Sequence, residues 1–234
     1  YTESEAQSLY IFGAQLALAL LQTRTHSELL AAFSDLSEVT TSAARTLVDA
    51  LGTYDDCTRR HSLRVADYAR QLALRLGLSD RDVTAISIAG LLHDIGKLGV
   101  GGRTLRKSGR LTDTERERIV LHPVQGAQIL SGMDSLRSIV PLVRHHHERM
   151  DGEGYPDGLV GEEIPLGARL LAVVDAYDSM TSDRPYRSTL EQREAVRRLS
   201  RGAGVQWDSR LVALWLECLA DLRELAPAHL PLER

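Results

Sequence analysis

The chain has 234 residues, of which 43% are hydrophobic, 26% charged and 5% aromatic, the balance of one ordinary globular domain or of a domain with an appendage. A disordered, collagen-like or disulfide-stapled chain is excluded. Twenty-eight Lys and Arg against 32 Asp and Glu leave a net charge of -4, so no overall basic field recruits a nucleic acid polymer or an anionic membrane, and any phosphate chemistry is arranged locally. Among the basic residues only Lys97 and Lys107 are lysines, which makes the placement of each ammonium informative. The two cysteines, Cys57 and Cys218, have neither metal-site nor redox spacing, and a reducing, cytoplasmic setting is the expectation. No secretory signal or lipidation motif is visible, although the chain opens on Tyr1 rather than Met. The apolar stretch at residues 11–21 is well short of the roughly 20 residues that cross a bilayer, so no membrane contact is expected of this segment.

Residues 3–38 have helical composition, with Leu9, Leu16 and Leu30 on a loose seven-residue spacing that Thr23 interrupts. Such a helix either joins an upstream sensor and pairs with a second copy, or packs on the main bundle. The boundary is placed there, with a helical segment over 1–38 and a main domain over 39–234. From about residue 40 helix follows helix. Val65, Ala69, Leu72 and Leu76 recur at helical spacing after His61 and draw one apolar stripe. Ser79 with Asp82, Thr112 with Glu115 and Thr189 with Gln192 are spaced as helix-opening caps. Between Glu148 and Gly167 runs a Gly- and Pro-rich connection longer than compact domains usually carry, and such loops tend to be functional. Neither a period-two alternation nor an internal repeat is present, and the expected fold class is all-α.

Histidines occur at 26, 61, 93, 122, 145, 146, 147 and 229. The most specific unit is Leu91-Leu92-His93-Asp94-Ile95-Gly96-Lys97, at the foot of an apolar helix. An isolated carboxylate is costly there, so Asp94 calls for a metal, a cationic partner or a plain hydrogen bond from His93. Arg144-His145-His146-His147-Glu148 ends a helix before the long loop, His122 precedes Pro123 at a helix junction, and His61 begins the striped helix. Asp175 and Asp178 lie on an otherwise apolar helix over 170–180, where unpaired carboxylates would again be costly. Imidazoles and carboxylates together suit iron, manganese or zinc, and one carboxylate can bridge two ions. In one arrangement Asp94 bridges, His61, His93 and Asp175 hold one ion, and His122, His146 and His147 hold the other. Spacing does not choose among arrangements.

His93-Asp94-Ile95-Gly96-Lys97, followed by the run from His146 through Glu148, Asp151, Gly152 and Gly154 to Tyr155-Pro156, resembles the HD-GYP domain, a bacterial branch of the HD phosphohydrolases that hydrolyses cyclic di-GMP. The resemblance runs from about Tyr54 to Leu216 and takes in His61-Ser62-Leu63-Arg64-Val65-Ala66, Ile164-Pro165-Leu166-Gly167-Ala168-Arg169 and Asp183-Arg184-Pro185-Tyr186-Arg187. An HD dipeptide is weak by itself; this ordered set is specific. It implies an HD-domain helical bundle with an N-terminal helical extension, and it selects the ligand arrangement just given. Members that hold three metals have a glutamate four residues before the first histidine. Cys57 stands there in this chain, so two ions are expected, iron or manganese. After the HD motif the family usually turns through a proline, and this chain has Gly99-Val100-Gly101-Gly102-Arg103 instead.

The implied reaction is metal-assisted phosphodiester hydrolysis at a binuclear centre, giving the linear dinucleotide pGpG and, after a second cleavage, GMP. Asp94 and Lys97 are the expected catalytic residues, the ammonium balancing phosphate charge. Lys97, Tyr155, Arg184 and Arg187 are the expected substrate contacts. Asp178 reads as a support for a ligand or a helix cap, Asp151 and its glycines as loop-shaping, His145 as facing away from the site, and Trp207 and Trp215 as core. The expected partners are cyclic di-GMP, diguanylate-cyclase proteins and a second copy of the chain. The competing functions are a non-catalytic cyclic-dinucleotide receptor and a phosphodiesterase for cyclic GMP-AMP.

Overall fold

The computed structural model describes residues 2–53, 55–105, 107, 109–110, 112–182 and 189–225. They form ten α-helices and short 3-10 turns, and no strand is present among them. The helices are α1 (Glu3–Gly52), α2 (Asp56–Arg75), α3 (Asp80–Leu92), α4 (Gly102–Leu105), α5 (Asp113–Val120), α6 (His122–Ser131), α7 (Val140–His145), α8 (Leu166–Thr181), α9 (Gln192–Gly202) and α10 (Ser209–Leu225). The chain divides into a unit over 1–42 and a unit over 43–234. The first is helix α1 as far as Ser42, with Phe12, Leu16, Leu18, Leu20, Leu21 and Leu29 exposed on it. No helix among the described residues is long and apolar enough to cross a membrane.

The second unit holds the core. Asp55 opens α2 by accepting from the Cys57 amide, and the predicted stripe buries Val65, Ala69 and Leu72 while Leu76 packs against the core from the helix end. Ser79 caps α3 through the Asp82 amide. At α5 the cap is reciprocal, with Thr112 and Glu115 each accepting from the other's backbone amide. Thr189 does not open a helix: the Leu190 amide donates to the Met180 carbonyl at 2.9 Å, which ties this stretch to the end of α8, and α9 starts at Gln192 behind Glu191.

Helix α2 packs on α3, α8 and α10 around a core that includes Leu72, Leu92, Leu171 and the fully buried Trp215; Trp207 is half-buried at its margin. Helix α2 also approaches α3 closely, since a Cβ on Gly90 would come within 2.9 Å of the Ala66 Cα. That contact brings the start of α2 and the end of α3 together. The long connection remains without α-helix from His146 to Pro165, apart from the 3-10 turn Gly161–Glu163.

Candidate metal centre

Five helix termini or helix faces deliver the polar groups to one buried place. His61 lies in the second turn of α2, His93 and Asp94 follow the last residue of α3, His122 begins α6, His146 and His147 follow α7, and Asp175 lies within α8. His61, His93, Asp94, His122 and His146 are each at most 4% exposed. Burying so many polar groups is tolerable only when each is paired or ligated.

The pairing has a consistent direction. His93 Nδ1 faces the Gly90 carbonyl at 2.8 Å, His122 Nδ1 the Ile119 carbonyl at 2.6 Å, and His146 Nδ1 the Val143 carbonyl at 2.7 Å. In each case the carbonyl lies three residues back, so the end of a helical turn holds the ring and requires a proton on Nδ1. His61 Nδ1 is held at 2.7 Å by Asp178, which also accepts from Arg64 at 2.6 and 2.9 Å. Each of these rings therefore turns Nε2 towards the centre, the arrangement by which outer partners orient metal-binding histidines.

The inward atoms separate into two sets, His61 with His93 and Asp94, and His122 with His146 and His147. Asp94 spans them. Its Oδ2 lies 3.4 Å from His93 Nε2 and 3.8 Å from His61 Nε2, while its Oδ1 lies 3.3 Å from His122 Nε2. Asp175 joins the first set through Oδ1, 3.0 Å from His61 Nε2. His147 tilts over His146 with ring centroids 4.1 Å apart and places its other side 4.9 Å from the Tyr155 ring. Lys97, one turn beyond Asp94, reaches Asp94 Oδ2 at 2.6 Å.

Charge follows the same geometry. Burial opposes ionisation of Asp94, but the Lys97 ammonium and the imidazoles of His93 and His122 outweigh it and hold the carboxyl well below its usual range. Burial likewise opposes Asp175, and His61 holds it ionised. Desolvation and neighbouring histidines push His146 well below its usual value, and desolvation brings His147 to about 4. Both are thus neutral near pH 7, the form that binds metal. His61 goes the other way: burial lowers it, yet Asp175 and Asp178 together raise it to about 8. In the metal-free protein a proton on His61 occupies the direction a metal would take. Burial, and then the charges of Asp175 and Asp94, raise Tyr155, which stays a phenol.

The donor set fits two divalent ions. Four protein atoms are available to each when Asp94 is shared, all imidazole nitrogens or carboxylate oxygens, a set that suits iron, manganese or zinc. Cys57 offers nothing to this set; it lines a cavity of about 550 Å³ with Arg60, Arg64, Tyr68 and Tyr177. Arg184 and Arg187 lie outside the described residues. Asp178 is placed behind His61 and also accepts from Ser182 at 3.0 Å. Asp151 pairs with Arg149 and accepts from the Glu153 amide at 3.1 Å, holding the loop turn. Sequence reasoning gave Arg64 no role of its own; its signals were its place in the His61-Ser62-Leu63-Arg64-Val65-Ala66 run and one turn after His61 on the striped helix.

A helical bundle whose helix ends converge on a His-Asp centre is the class this geometry defines, and the HD domain family matches residues 30–211. The chain belongs to that family. It is 44% identical over 155 residues to the cyclic di-GMP phosphodiesterase PA4108 of Pseudomonas aeruginosa, a match covering 66% of this chain and 37% of that protein. It is 36% identical over 220 residues to the cyclic di-GMP phosphodiesterase response regulator RpfG of Xanthomonas campestris pv. campestris, covering 88% and 58%. The chain therefore spans between about a third and three-fifths of these curated relatives. Among solved structures, Bd1817, an HDG"Y"P protein from Bdellovibrio bacteriovorus, superposes with a TM-score of 0.58 at 18% identity, over 79% of this chain and 63% of that one, and shares the fold.

Proposed function

We propose that this chain is a catalytic domain that hydrolyses cyclic di-GMP to linear pGpG, with GMP as the product of a second cleavage, at a binuclear iron or manganese centre. The observation that carries the reading is the shared carboxylate: Asp94 turns one oxygen to each of two imidazole sets. A structural His-Asp bond needs one histidine; seven converging ligands need ions. The names of the two curated relatives support the substrate.

Two bound ions supply an activated water and hold the non-bridging phosphate oxygens for in-line displacement. The chain's residues do the rest. His61, His93 and Asp175 would hold one ion, His122, His146 and His147 the other, and Asp94 would be shared between them. Lys97 spends one of its three ammonium donors on Asp94, which leaves others for a phosphate oxygen whose charge grows during displacement. Tyr155 borders His147 and keeps its proton, so it donates to phosphate or stacks on a guanine but takes no proton. Arg184 and Arg187 are assigned to the second phosphate or a guanine edge, where guanidinium forks pair well. A second copy is assigned to residues 3–38, and a diguanylate-cyclase protein remains the proposed protein partner; an unchanged mass on deleting 3–38 would remove the dimer.

Anaerobic loading with iron or manganese, metal counting and product chromatography with cyclic di-GMP and cyclic GMP-AMP test the proposal. Two ions per chain with turnover of cyclic di-GMP are expected. Preferential turnover of cyclic GMP-AMP would change the substrate, and full occupancy with tight nucleotide binding but no cleavage would make the chain a receptor.

A further inference from the structure

Behind the catalytic ligands lies a second cluster that the proposed reaction does not use. His145, Glu148 and Asp157 bring one imidazole nitrogen and two carboxylate oxygens within 4.8 Å of one another. The Glu148 side chain is wholly buried, and its Oε2 has no hydrogen-bond partner; neither has His145 Nδ1, which is equally shielded from solvent. Orphaned buried groups of this kind are rare and mark a missing ligand or ion. Glu148 Oε1, the oxygen that faces His145, accepts from the Asp157 amide at 2.7 Å and keeps a second lone pair, so the carboxylate is fixed in place.

The separations are those of a coordination polyhedron and not of hydrogen bonds. His145 Nδ1 lies 3.7 Å from Glu148 Oε1 and 3.5 Å from Asp157 Oδ2, beyond the roughly 2.7–3.2 Å of an N–H···O bond. Donors at about 2.0–2.2 Å from a tetrahedral ion stand about 3.4 Å apart along each edge. Arg144 grips both oxygens of Asp157, at 2.7 and 2.8 Å, and each oxygen keeps a second lone pair. Two carboxylates against one guanidinium leave one negative charge beside the His145 ring, a balance that accepts a divalent cation. The half-exposed edge at Asp157 leaves room for water as a fourth ligand.

We propose that His145, Glu148 and Asp157 form a separate mononuclear site for a four-coordinate divalent cation of the zinc class. It joins the end of α7 to the Gly-rich loop two residues past Tyr155. It thereby holds the Tyr155 ring beside His147 and is structural, since its three residues are distinct from those of the binuclear set.

Cobalt titration of the metal-free full chain tests this. With both sets of the binuclear centre disabled by His93→Ala and His122→Ala, one equivalent is expected to give the intense visible bands of four-coordinate cobalt, and these are lost when His145→Gln or Glu148→Gln is added. Should Glu148→Gln unfold, as circular dichroism would show, the half-buried His145→Gln still decides. Bands that survive His145→Gln, or their absence when His145 and Glu148 are both intact, would overturn the proposal. Failure of the phosphodiesterase reading would instead leave these bands intact and abolish turnover.

Discussion

Gly96 lies so close to the backbone of His122 that a Cβ on it would overlap the His122 carbonyl oxygen. The 3-10 turn that follows the His93-Asp94 pair therefore sits directly on the first turn of α6, and this approach sets the 3.3 Å between Asp94 Oδ1 and His122 Nε2. The bridging role assigned to Asp94 depends on a glycine two residues away.

Gly96→Ala is expected to push the turn off α6, at about 1–3 kcal/mol for overpacking a tight contact. Thermal unfolding should fall by several degrees, and metal counting should show the His122 set losing its ion before the His61 set does. Unchanged unfolding with two ions bound would refute the packing argument.

Lys97→Gln shortens the side chain by one atom and removes its charge. Turnover of cyclic di-GMP should fall about 10²–10³-fold, the usual effect of losing one group that stabilises transition-state charge. Metal content should stay at two per chain, because Lys97 touches a ligand and is not one.

Asp178 and Arg64 orient His61 without facing the centre. Asp178→Ala is predicted to weaken one ion by about 10–100-fold, as loss of a partner behind a metal-bound histidine does. Arg64→Gln should act in the same direction and less. Calorimetric titration distinguishes the two ions; equal weakening of both would show a general loss of structure.

The metal-free protein should be most stable near pH 6.5. His61 is raised from 6.5 to about 8 in the fold, so its contribution is complete below 6.5 and is lost as pH climbs through 8. His147 is lowered from 6.5 to about 4 and His146 is lowered well below 6.5, so theirs is complete above 6.5 and is lost as pH falls. Melting temperatures measured from pH 5 to 9 in chelator should trace this maximum. Loading with metal should flatten the alkaline side, since an ion replaces the His61 proton and binds more tightly as that proton leaves.

Periodicity was enough to place α2 around its stripe, since a surface helix must bury one face and Val65, Ala69 and Leu72 can do so on only one side. Thr112 and Glu115 announced α5 because capping is a local exchange of hydrogen bonds. The ordered motifs named the residues that converge at the centre, since ligand chemistry restricts residue type. Thr189 misled for a physical reason: its spacing to Gln192 met the local rule, but a backbone bond from Leu190 to Met180, ten residues earlier, held the segment extended.

What no local rule contains is distance between segments far apart in the chain. His61 and Asp178 are 117 residues apart and meet at 2.7 Å because α2 and α8 pack in the same core. The direction of Nε2 in His93, His122 and His146 comes from a carbonyl one turn back, and the division of the Asp94 oxygens between two sets comes from the approach of Gly96 to α6. His145 and Asp157 show the same limit, because their separation depends on how the loop folds back over the end of α7. Residue chemistry made the centre legible in the chain; long-range packing, which sequence spacing does not encode, set its geometry.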